Sequence, residues 1–145
     1  MLKKVLDLFT ESKSQQEPKL SVELATAALL SEIIRADRHA DERELAAYKA
    51  MLEARFSLSE QELSALMEDG RETAEEAVDM VQFTQVVNEQ CDNDEKRAIL
   101  KSLWEVAYAD KDIAPIEEHT IRRIADLLHM PHSQFIKTKL DVTNT

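Results

Sequence analysis

Apolar residues recur at every third or fourth position along most of the chain, which is the spacing of amphipathic helices. Val22–Ala36 is apolar on nearly all sides, and this pattern predicts a central helix enclosed by others. A second strongly apolar helix is predicted over residues 98–109. Weaker helical patterns cover residues 41–56, 59–70, 79–90, 116–128 and 134–140. The sequence therefore predicts an all-α bundle of about seven helices.

The chain divides into an N-terminal segment, residues 1–19, a helical domain, residues 20–140, and a frayed tail, residues 141–145. One helical face of the first segment carries four apolar residues with two lysines beside it, namely Leu2, Val5, Leu6 and Phe9, with Lys3 and Lys4. Residues 10–19 are polar, which predicts an exposed connector. The apolar stripe fits two interpretations, docking on the chain's own domain or anchoring at a membrane surface.

The scarcity of turn-forming residues supports the all-α prediction. The chain has one glycine and three prolines in 145 residues, whereas a β-sandwich or barrel needs many tight turns. The glycine, Gly70, falls within the helix predicted from residue 59, which either ends there or continues through it. Residues 71–79 carry no clear pattern.

A net charge of −11 restricts the kinds of molecule that the chain is expected to bind. Repulsion of phosphates argues against binding to nucleic acid or to anionic membranes and favours cations and proteins with a basic surface. Cys91 is the sole cysteine, so the chain forms no internal disulfide and a thiolate zinc site is disfavoured. No apolar stretch is long enough to span a bilayer, and no signal peptide is recognisable. We expect a cytoplasmic protein without stable membrane insertion.

The two halves of the helical domain resemble each other at an offset of 73 residues. This offset places Asp37 on Asp110 and Glu44 on Glu117, within the shared pattern Ala-Asp-x-(His or Asp)-x-x-x-x-Glu. We call residues 37–44 the first acidic loop and residues 110–117 the second. Because neither half alone buries its apolar faces, the pattern predicts an internal two-fold repeat of helix, acidic loop and helix around one core.

These loops give the chain a family resemblance. RADRHADERELAAYKAML, residues 35–52, and LWEVAYADKDIAPIEEHTIRRIADLL, residues 103–128, resemble the two motifs of the tellurite-resistance protein B family, TerB. The resemblance implies an all-helical fold, a cytoplasmic setting, a tie to tellurite or stress response, and acidic residues that bind divalent metal. It also implies a protein-interaction role, since similar domains occur fused to co-chaperone modules. Arg38 and Lys111 stand where the family has glycine, so a loop that needs a positive φ would be strained there.

The side chains of the two loops are candidate ligands for a divalent cation, Ca²⁺, Mg²⁺, Mn²⁺ or Zn²⁺. Hard cations such as Ca²⁺ and Mg²⁺ favour clustered oxygen atoms, which these loops supply. The candidates are Asp37, His39, Asp41 and Glu44 in the first acidic loop and Asp110, Asp112 and Glu117 in the second. An EF-hand is excluded, because the glutamate is eighth rather than twelfth and the sixth position is not glycine.

Helix capping is the competing interpretation of the same acids. Glu44 and Glu117 occupy the third helical position, where a glutamate reaches back to the helix start. Capping does not require Asp37 and Asp110, however, which each follow a buried helix where a carboxylate is electrostatically disfavoured. Both interpretations remain open at this point.

No catalytic motif is recognisable, which argues against an enzyme. The chain lacks a glycine-rich phosphate loop, a nucleophile elbow and a pair of metalloprotease histidines. The family resemblance, together with the acidic loops, implies two functions. One is a stress-response module whose acidic loops bind a divalent cation or a basic partner, and the other is an interaction scaffold that needs no metal. The sequence does not indicate an oligomeric state.

Overall fold

A computed structural model describes residues 20–36 and 42–144 of the chain. Across these two ranges the chain forms seven helices and no strand, which confirms the all-α prediction. The helices are α1 Val22–Ala36, α2 Glu42–Arg55, α3 Glu60–Glu76, α4 Val81–Gln90, α5 Asn93–Ala107, α6 Pro115–Leu127 and α7 His132–Thr143. The predictions for residues 1–19 and for Asp37, His39 and Asp41 lie outside the described residues.

Helix α1 is the centre of the bundle. It contacts α2, α3, α4, α5 and α6, and its residues from Ala25 to Ser31 are all buried. This is the environment expected for a helix that is apolar on nearly all sides. Helix α5 is the second central element and contacts α1, α2, α6 and α7. None of the described helices is both long and apolar enough to cross a membrane.

The contacts between helices come in corresponding pairs. Helix α1 packs most extensively on α3, and α5 on α7, while α1 contacts α6 as α5 contacts α2. Helices α2 and α6 also begin 73 residues apart, at Glu42 and Pro115. These pairings are what a duplicated unit of three helices would produce, and the internal repeat stays a prediction.

Three helices differ in extent from their predicted ranges. Helix α3 continues through Gly70 to Glu76. Helix α5 begins at Asn93, five residues before its apolar pattern, because Asp92 and Glu95 form a capping box ahead of it. Helix α7 spans His132–Thr143 and is longer at both ends than predicted. The buried side chain of Val142 holds the end of α7 against the domain.

Candidate functional site

The second acidic loop begins with a tight turn after α5. The amide of Lys111 donates to the Tyr108 carbonyl oxygen at 2.8 Å, and Lys111 has a φ of 69°. A left-handed conformation is unfavourable for a residue with a Cβ atom, so the strain expected at Lys111 is present. The ammonium of Lys111 lies 5.3 Å from the centre of the Tyr108 ring, so a cation–π contact offsets part of the strain.

The two aspartates of this turn have different environments. Asp110 is half-buried, and its Oδ1 accepts a hydrogen bond from the amide of Asp112 at 3.1 Å. This is an Asx-turn, which accounts for a carboxylate placed directly after a helix. Asp112 is exposed. The turn therefore presents one restrained carboxylate and one solvated carboxylate at the end of α5.

Glu117 caps the helix that follows the turn. Its Oε1 accepts a hydrogen bond from the amide of Ala114 at 2.9 Å, and Pro115 occupies the first position of α6. The residue is only 1% exposed. Glu44, at the corresponding place in the first turn of α2, is 2% exposed. Both glutamates of the predicted site are therefore buried at the starts of their helices.

Capping alone does not account for this burial. Glu62 and Glu95 occupy the same third position of α3 and α5, and each completes a capping box with the residue before its helix. Both are exposed to solvent. Burial of a carboxylate costs free energy that a cap at the surface avoids. Glu44 and Glu117 are thus distinguished from the other capping glutamates by burial, and both belong to the acidic loops.

The described residues do not assemble a complete metal cage. Within residues 20–36 and 42–144, no three histidine, cysteine, aspartate or glutamate side chains come close enough to hold one ion together. Asp110, Asp112 and Glu117 therefore do not form a three-ligand group. The predicted partners Asp37, His39 and Asp41 lie outside these ranges. The metal site consequently stays a prediction.

A second charged surface, which the sequence analysis did not single out, runs along α3. Its seven exposed carboxylates are Glu60, Glu62, Glu68, Asp69, Glu72, Glu75 and Glu76. Arg71 is the one basic residue of the helix, and it pairs with Glu68 and Glu75. The hydrogen bond from Arg71 holds the pKa of Glu68 below its usual value. We call this surface the acidic face of α3. The excess of acidic residues within 60–76 is the sequence pattern from which it could have been predicted.

An apolar groove of about 470 Å³ lies beside this face, between α1, α2 and α3. Ile34, Leu45, Tyr48 and Met67 supply its apolar surface. Its exposed charged lining residues are Arg35, Glu68, Arg71 and Glu75. The three helices come together at Gly70 of α3, which lies against Ala27 of α1 and Tyr48 of α2. The groove opens along this junction.

Tyr48 fixes one wall of the groove. The side chain is 3% exposed, and its hydroxyl donates to the Met67 carbonyl oxygen at 3.3 Å. Burial is the larger of two causes that raise the pKa of Tyr48, and the negative charge of Glu68 is the second. The hydroxyl therefore stays protonated and acts as a donor. This hydrogen bond links α2 to α3. Because both helices form walls of the groove, packing within the domain sets the width of the groove.

The fold and both motifs lead to a family assignment. A family model described as tellurite resistance protein TerB matches residues 23–140, which include α1 to α6 and most of α7. The described residues form an all-α bundle with an acidic turn between α5 and α6. The chain belongs to the TerB family. Neither a curated protein nor a solved structure matches the chain.

Proposed function

We propose that this TerB-family domain binds a divalent cation through its two acidic loops. The observation that carries the proposal is the burial of Glu44 and Glu117, since the equivalent capping glutamates of α3 and α5 remain in solvent. Both carboxylates lie at the start of a helix within an acidic loop, and carboxylate oxygens are the ligands that hard divalent cations prefer. The adjacent carboxylates of Asp110 and Asp112 add oxygen donors at the surface.

The donor set fits a hard cation. In the second acidic loop, Asp110, Asp112 and Glu117 offer carboxylate oxygens, and in the first Asp37, Asp41 and Glu44 do so with the imidazole of His39. Mg²⁺ keeps several water ligands and is commonly held by one or two carboxylates, so a site need not contain three protein ligands. We propose a cytoplasmic stress-response role for this binding, in keeping with the family description of tellurite resistance.

Calorimetric titration of the purified chain with Ca²⁺, Mg²⁺, Mn²⁺ and Zn²⁺ tests the proposal. We expect a saturable heat with at least one of these ions. Asp37→Asn and Asp110→Asn should each weaken binding by about tenfold or more, because an amide removes the negative charge of a ligand.

Asp126→Asn is the matched control, since Asp126 is exposed on α6 and lies outside both acidic loops. It removes the same charge and should leave the binding isotherm unchanged. An absence of heat with every ion, or equal weakening by all three substitutions, would contradict a specific site.

The acidic face of α3 favours a second function, a scaffold that binds a basic protein without metal. Seven exposed carboxylates on one helix form a negative surface, and three of them are paired, Glu60 with Lys49 of α2 and Glu68 and Glu75 with Arg71. Such a surface accelerates association with a cationic partner, and its contribution weakens as salt is added. This function differs from the first because it does not involve the acidic loops.

We expect partner capture from cell extract to be strong at low salt and weak at high salt. The double variant Asp69→Asn/Glu76→Gln should reduce capture at low salt, since both residues are exposed on α3. The double variant Glu89→Gln/Asp126→Asn removes two exposed charges elsewhere and should capture as the unmodified chain does. Equal capture by both variants, or capture insensitive to salt, would count against the scaffold.

A further inference from the structure

The apolar groove combines one exposed leucine with apolar side chains that are partly or fully buried. Leu45 is 40% exposed at its edge, and Ile34 and Met67 line it from the two neighbouring helices. An apolar concavity framed by charged residues is the form of surface that receives the apolar face of an amphipathic helix. The groove is therefore suited to bind a helix with an apolar stripe and charged residues on either side of it.

We propose that the occupant is the N-terminal segment of the same chain, residues 1–9. Four apolar residues recur there at helical spacing, Leu2, Val5, Leu6 and Phe9. On a helix they form one stripe, which matches the apolar lining of the groove in character. This assignment is independent of cation binding at the acidic loops.

Charge supports this choice of occupant. The segment carries Lys3 and Lys4 beside its stripe. The exposed charged side chains that line the groove are two glutamates, Glu68 and Glu75, and two arginines, Arg35 and Arg71. The arginines of the groove are already engaged, since Arg71 pairs with Glu68 and Glu75, and Arg35 lies 3.2 Å from Glu32. The two arginines thus pair with three glutamates, and Lys3 and Lys4 at the groove edge would meet a cluster with a net charge of −1.

The connector is long enough to reach the groove. Helix α1 begins at Val22, and Ile34, which lines the groove, lies about 18 Å further along the same helix at 1.5 Å per residue. The ten residues 10–19 span up to about 33 Å when extended. The segment therefore reaches the groove of its own domain, where tethering gives it a high effective concentration.

Hydrogen exchange of the full chain, read by mass spectrometry, tests the proposal. We expect the amides of residues 1–9 to exchange more slowly than those of an unstructured peptide. Leu45→Glu, which places a carboxylate on the groove wall, should raise their exchange to the unstructured rate. Leu6→Asp should do the same by altering only the segment, so the result does not depend on one variant of the folded domain.

Ile136→Glu is the matched control, because Ile136 is 38% exposed on α7 and does not line the groove. It should leave residues 1–9 protected. The proposal is overturned if these residues exchange freely in the unmodified chain, or if Leu45→Glu leaves them protected. Protection that grows with protein concentration would assign the groove to a second copy, and protection that needs anionic vesicles would assign the segment to a membrane. Either result overturns docking within one chain.

Discussion

Replacing Trp104 with alanine is expected to lower the free energy of unfolding by about 3–5 kcal/mol, the usual cost of removing a buried aromatic side chain. Trp104 is fully buried on α5, and its ring lies 5.0 Å from that of Phe135 on α7. The ammonium of Lys139 is 5.6 Å from the Trp104 ring centre. The substitution removes an aromatic contact between α5 and α7 and leaves a cavity that neighbouring helices fill only in part.

Urea denaturation followed by circular dichroism measures this loss, since the substitution removes the chain's one tryptophan fluorophore. Trp104→Phe is the control. The buried indole Nε1 has no hydrogen-bond partner among the described residues, so phenylalanine keeps most of the packing and removes an unsatisfied donor. Phenylalanine should therefore cost much less than alanine. A loss below about 1 kcal/mol for Trp104→Ala would contradict the assignment of Trp104 to the core.

Gly70→Val is expected to destabilise the domain by about 2–3 kcal/mol through overpacking. A Cβ atom at residue 70 would lie 2.7 Å from the Ala27 Cβ and 2.8 Å from the Tyr48 hydroxyl oxygen. It would also lie 3.0 Å from the backbone carbonyl carbon of Ala27. Helices α1 and α3 would have to separate, because a backbone atom cannot move aside as a flexible side chain does.

Ala65→Val is the control for the lower helix propensity of valine. Ala65 is exposed on the same helix, so valine there lowers the propensity without a clash. It should cost less than about 1 kcal/mol. Gly70→Ala should fall between the two, since the clash of one methyl group is partly offset by the better helix propensity of alanine. Thermal and urea denaturation provide the comparison. Equal stability of Gly70→Val and Ala65→Val would show that α1 and α3 are not in close contact at Gly70.

The positions of most helices were predictable because they depend on local apolar spacing. The extent of α3 was not, since a glycine within a helix fits either an end or a close contact. Here Gly70 is retained within α3 because the neighbouring helix leaves no room for a Cβ atom. The apolar pattern of α5 begins later than the helix, since its first turn after Asp92 is polar, and only the capping residues 92–94 indicate its start.

The candidate site was predictable in its residues but not in its environment. The repeated spacing identified Glu44 and Glu117, yet their burial depends on helices that pack over them from elsewhere in the chain. The apolar groove was equally inaccessible to sequence reasoning, because its walls come from three helices and no local pattern marks their junction. The left-handed Lys111 was foreseeable from the glycine that the TerB family places there.

The most direct test of the central claim is a crystal structure of the full chain grown with Mn²⁺, with the ion located by its anomalous scattering. Our account predicts an anomalous peak at the acidic loops, within coordination distance of carboxylate oxygens of Asp110, Asp112 or Glu117, or of their counterparts in residues 37–44. A well-ordered structure at saturating Mn²⁺ with no peak at either loop, or with peaks only elsewhere on the surface, would contradict it.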